Sequence, residues 1–76
     1  MPYSNDIIEE LNVLSLFNLD TDLEGIKVHS SAGEPRVSAA QRLFDKGLTT
    51  QKDGGYLTSL GRTAAEHAQG LLQILK

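Results

Sequence analysis

The sequence predicts an α+β fold, with three helices and a small antiparallel sheet of two or three strands in a single domain over residues 1–76. Apolar residues recur at helical spacing in three separate stretches. An Asp-Gly pair stands between two short β-favouring runs, and a glycine follows the middle helical stretch where a helix would stop.

The first helix can be capped by Ser4 or by Asp6, the latter with Glu9 at capping-box spacing, and it is expected to run to about Asn18. Ile7, Leu11 and Leu14 form one stripe, but Val13, Leu16 and Phe17 spread around the rest of the circumference. A single packing face cannot bury all of them. The helix therefore either crosses the middle of the domain or contributes Val13, Leu16 and Phe17 to a dimer or partner interface.

Asn18 to Gly25 is a polar, acidic connection whose Asp20, Asp22 and Glu24 alternate. A calcium loop would need further ligands ending in a bidentate Glu, and here the run breaks into Gly-Ile-Lys-Val, so a solvated loop is expected. Gly25 to His29 reads as a short strand with Ile26 and Val28 on one face and Lys27 on the other.

The middle helix is expected from Pro35, with Glu34 as its cap, to Lys46. Val37, Ala40, Leu43 and Phe44 make its apolar stripe, and Gly47 sits at the left-handed C-terminal cap position. A hairpin over residues 48–59 follows. With Asp53 and Gly54 as central turn residues, Thr50 would face Leu57 and Gln51 would face Tyr56. Thr58 is placed to cap the last helix, and Gly61 in its first turn leaves room for another backbone. That helix, Leu60 to Leu75, presents Leu60, Ala64, Ala68, Leu71, Leu72 and Leu75 on one broad face widened by Ile74. Leu71, Ile74 and Leu75 at its leucine-rich end are further candidates for a subunit or partner contact.

A chain of 76 residues buries only about 60% of its unfolded surface, so its stability margin is thin and dimerisation would help it. With no cysteine in the sequence, disulfides, thiolate metal sites and thiol nucleophiles are excluded, which suits a reducing cytoplasm. No apolar run approaches a membrane-spanning length, and MPYSNDIIEE carries acidic residues where a signal peptide needs basic ones. His29 and His67 lack partners at metal-ligand spacing, so neither metal nor cofactor is expected. Without a phosphate-binding glycine loop, a nucleophile motif or paired carboxylates, an enzyme is not expected.

Charge is unevenly placed. Residues 1–33 hold six acidic and one basic residue, whereas residues 34–62 hold Arg36, Arg42, Lys46, Lys52 and Arg62 against three acidic ones. Overall the net charge is −3.

The segment LFDKGLTTQKDGGYLTSLGR resembles the recognition-helix end, wing and following helix of winged helix regulators. Through GIKVH, AAQRLFDKGL, DGGYLTSLGR and AAEHAQ the whole chain resembles a family of short bacterial proteins of uncharacterised function with a winged helix-like C-terminal half. The winged helix order would be helix, strand, helix, turn, helix, strand, wing, strand. Between His29 and Leu48 there is room for only one good helix, so the helix-turn-helix is truncated.

The resemblance implies a small regulatory protein in contact with duplex DNA, and the residues suggest how. Arg42 and Gln41 on the middle helix would read bases, while Arg36, Lys46, Lys52 in the wing and Arg62 would meet phosphates. The alternative is a protein-interaction or dimerisation module that has lost its groove-reading element and docks a protein regulator through the apolar surface of its first and last helices. In either case a homodimer is expected.

Overall fold

The computed structural model describes residues 3–76 and has the element order α1 (Asn5–Leu14), β1 (Ile26–Lys27), a 3-10 turn (Ser30–Ala32), α2 (Glu34–Asp45), β2 (Thr49–Gln51), β3 (Gly54–Leu57) and α3 (Ser59–Leu75). The three strands form one antiparallel sheet in the order β1-β3-β2. This is the expected α+β architecture.

Ser4 caps α1, its Oγ accepting from the Ile7 amide at 3.2 Å. Asp6 and Glu9 make no capping box, because Asp6 already lies inside the first turn, and Glu9 reaches across to Arg36. The helix ends at Leu14, four residues before the expected Asn18. Ser15 donates its hydroxyl back to the Asn12 carbonyl at 2.6 Å, and the Leu16 amide tightens onto the Val13 carbonyl at 3.0 Å. Such competing bonds divert the backbone from the α ladder. Phe17 thereby swings inward and is buried.

α2 begins one residue earlier than expected, with Gly33 rather than Glu34 in the cap position. Glu34 lies inside the first turn and accepts from the Ser38 hydroxyl at 2.7 Å. At the other end the expectation for Gly47 holds. Its amide donates to the Phe44 carbonyl at 3.0 Å and the Leu48 amide to the Leu43 carbonyl at 2.9 Å, the two bonds of a Schellman cap.

The hairpin forms in a different register from the expected one. Thr49 pairs with Leu57 and Gln51 with Gly54, with an irregularity between them, so the turn lies at Lys52 and Asp53 and both following glycines belong to β3. Gly55, at φ +72°, supplies the left-handed residue of a bulge opposite Thr50, whose Oγ1 accepts from the Tyr56 amide at 2.9 Å. β1 lies on the other edge of this glycine pair, Ile26 opposite Gly55 and Lys27 opposite Gly54. A Cβ on Gly54 would stand 2.8 Å from the Ile26 carbonyl oxygen. The glycines thus admit the third strand as well as making the bend.

Thr58 joins the hairpin to the last helix. Its hydroxyl accepts from the Gly61 amide at 3.0 Å as the cap of α3 and donates to the Gly47 carbonyl at 2.7 Å, tying the start of α3 to the end of α2. Gly61 packs on the backbone of Leu48.

The core comprises Val13, Leu14, Phe17, Val28, Ala39, Ala40, Leu43, Ala65 and Ala68. Val13 and Phe17, candidates for an interface on sequence grounds, are inside the domain, because α1 crosses between α2 and α3. Small residues dominate the α3 contribution: Gly61, Ala65 and Ala68 are buried, whereas Leu60 and Leu71, expected on the packing face, are exposed.

Candidate functional site

The acidic first half and the basic second half of the chain meet along the α1–α2 contact. Glu10 projects from α1 onto α2 and is only 7% exposed. Its Oε2 accepts from Arg42 Nε at 2.9 Å, and its Oε1 accepts from the Lys46 ammonium. Burial by itself would raise the Glu10 pKa, but the hydrogen bonds from Lys46 and Arg42 outweigh it and hold the carboxyl below its ordinary value. The bond to Glu10 likewise raises the pKa of Arg42. Arg42 also donates through Nη2 to the Asp6 carbonyl at 3.1 Å. Nearly two turns earlier on α2, Arg36 Nε donates to Glu9 Oε1 at 3.1 Å.

A second cluster lies at the start of α3. Arg62 donates to Asp22 Oδ1 at 2.8 Å and to the Leu19 carbonyl, with Glu66 3.8 Å away on the next turn. The guanidinium straps the acidic loop onto α3. Gln69 does a similar job farther along, its amide donating to the carbonyls of Leu14 at 3.1 Å and Phe17 at 2.8 Å, just where α1 ends.

Of the six residues proposed for nucleic acid, Arg36, Arg42, Lys46 and Arg62 are thus held in intramolecular ion pairs, while Gln41 and Lys52 are exposed. Arg36, Gln41, Arg42 and Lys46 share α2 and its C-terminal cap, but Lys52 stands at the hairpin turn and Arg62 near the loop, so the six do not converge on one charged stripe. Among the interface candidates, Leu16, Leu71, Ile74 and Leu75 are exposed. Sequence reasoning missed Glu9, Glu10 and Asp22 as partners for the basic residues. The opposite charges of the two halves were the available signal.

A shallow cleft of about 250 Å³ opens between the acidic loop, β3 and α3, lined by Phe17, Asp22, Glu24, Tyr56, Ser59 and Arg62 among others. Its charged side chains are already engaged: Asp22 with Arg62, and Glu24 with the Asn18 amide at 3.2 Å. Among the described residues, no three His, Cys, Asp or Glu side chains come together to hold a metal. No helix among them is long and apolar enough to cross a membrane.

Over residues 1–76 the sequence matches a family of unknown function, DUF5669. The chain belongs to this family. No curated protein and no solved structure matches it. This DUF5669 chain thus carries the α1–α2 ion pairs and the exposed leucines and isoleucine of α3, and α1 also exposes Ile7, Ile8 and Leu11.

Proposed function

We propose that this chain is a small cytoplasmic, non-enzymatic regulatory protein of winged helix-like architecture that works as a protein-interaction module and does not read DNA. Its main support is the internal pairing of Arg36, Arg42, Lys46 and Arg62. Affinity for duplex DNA grows with the number of phosphates neutralised by free Lys and Arg, and a guanidinium already bonded to a buried carboxylate has to break that bond first. The short 3-10 turn Ser30–Ala32 stands where a winged helix would carry the first helix of its helix-turn-helix, which removes the element that braces a recognition helix against the backbone. Meanwhile α3 leaves Leu60, Leu71, Ile74 and Leu75 in solvent. An apolar helix face of this kind suits contact with another protein.

Titration of the protein against random duplex DNA at low and moderate salt tests the reading. No binding at low salt is the expected result. Micromolar binding that weakens steeply with salt and is lost in the Arg42→Ala, Lys46→Ala double variant would overturn it.

A further inference from the structure

α3 carries two stripes at coiled-coil spacing, one position apart. Gly61, Ala65, Ala68, Leu72 and Leu75 recur at steps of four, three, four and three residues, and so do Leu60, Ala64, His67, Leu71 and Ile74. The first stripe faces inward and is buried at Gly61, Ala65 and Ala68. The second is half-covered at Ala64 and otherwise open, with Leu60 60%, Leu71 57% and Ile74 81% exposed.

From this second stripe we propose that α3 pairs with α3 of a second copy of the chain, antiparallel about a two-fold axis at His67. This deepens the interaction-module reading and rests on it. The stripe is close to self-complementary, as an isologous contact requires. Seven residues separate Leu60 from His67, and seven separate His67 from Ile74. Turned end for end, Leu60 meets Ile74 of the other copy and His67 meets its own equivalent, while the small Ala64 and the large Leu71 lie one position out of step beside each other.

The surroundings favour self-pairing. None of the five stripe residues is Asp, Glu, Lys or Arg, and the two charged residues within its span, Arg62 and Glu66, face each other at 3.8 Å, so no formal charge on the stripe opposes a second identical face. Thr63 and Gly70 flank the stripe on one side. A Cβ on Gly70 would meet nothing within 4 Å, which leaves open space for an approaching helix. With Leu75 at the rim, 71% exposed, four large aliphatic side chains of α3 stand in solvent on this side of the monomer. A contact built on one short helix stripe belongs with the small, weak and reversible interfaces.

Sedimentation equilibrium from micromolar to near-millimolar protein should show a monomer–dimer equilibrium. Ile74→Asp should weaken it at least tenfold with an unchanged circular dichroism spectrum, because Ile74 is 81% exposed in the monomer. His67→Leu should tighten it. The chain has no cysteine, so any disulfide in a single-cysteine variant joins two copies. His67→Cys should oxidise rapidly to a dimer, whereas Leu60→Cys should not, its equivalent lying at the far end of the pair. A chain that stays monomeric throughout, or Leu60→Cys cross-linking as fast as His67→Cys, would overturn the arrangement; the former leaves the stripe to a different protein. Adding duplex DNA to the same samples separates the two failures: a monomer that ignores DNA sinks only the dimer, while salt-sensitive DNA binding sinks the module reading as well.

Discussion

Arg42 donates through Nε to Glu10 Oε2 at 2.9 Å across the α1–α2 contact, and the carboxylate receiving it is almost wholly buried. With the Lys46 ammonium on its other oxygen, Glu10 engages two of the cations that a DNA-reading helix would have to present, its single charge shared between them. The acidic first helix acts as an internal partner for the basic second one.

Glu10→Gln should cost about 1–3 kcal/mol of unfolding free energy, since it leaves two cations facing a neutral amide, and both are exposed enough for water to recover part of the loss. Urea unfolding at neutral pH measures this. A change below about 0.5 kcal/mol would mean that solvent screens the cluster as it does a surface pair.

The same carboxylate makes stability depend on pH. Glu10 has a folded pKa below its ordinary value of 4.5, so its contribution is fully present above that value and is lost as pH falls through the folded pKa. Unfolding free energy should therefore decline below about pH 4.5, and the decline should be shallower in Glu10→Gln. Parallel acid titrations of the two proteins followed by circular dichroism would compare them.

Two glycines of α3 should respond oppositely to alanine. In Gly61→Ala the new Cβ would lie 1.8 Å from the Leu48 carbonyl oxygen, so the helix and the strand start must separate. A loss of roughly 3 kcal/mol or more is expected, enough to unfold much of a marginal domain. Gly70→Ala meets nothing within 4 Å, and at dilute concentration it should gain about 0.5–1 kcal/mol from helix propensity. Thermal melts of both variants decide the matter, and equal losses would contradict the packing of α3 on Leu48.

Thr58→Ala removes a cap bond to Gly61 and the link to the Gly47 carbonyl together. About 1–2 kcal/mol should be lost, with Thr58→Ser retaining most of it because the hydroxyl is kept. A serine variant as unstable as the alanine one would assign the loss to the methyl group instead.

Several features were legible from residues alone because they are settled within a few positions of chain. Gly47 after Lys46 stops α2 by backbone bonds to Phe44 and Leu43, and Thr58 caps α3 through an amide three residues on. The alternation of Ile26, Lys27 and Val28 likewise survives in the strand's burial. The hairpin register did not follow from its Asp-Gly pair. That pair favours a tight turn centred on itself, but β1 requires both glycines in β3, where no side chain obstructs Ile26. Similarly, helical spacing on α1 could not say whether Val13 and Phe17 faced inward or outward, since both directions were apolar.

By itself, then, the sequence determined the kinds of element, their order, the Gly47 stop of α2, the Thr58 cap of α3 and the charge asymmetry between the two halves. Tertiary structure alone decided that Glu10 meets Arg42 and Lys46, that Val13 and Phe17 lie in the core, and that Leu71 and Ile74 do not. The division has a physical cause. Caps and turns depend on backbone hydrogen bonds a few residues long, whereas ion pairing and burial depend on which faces of distant helices come together, and several faces here were apolar or charged enough to compete.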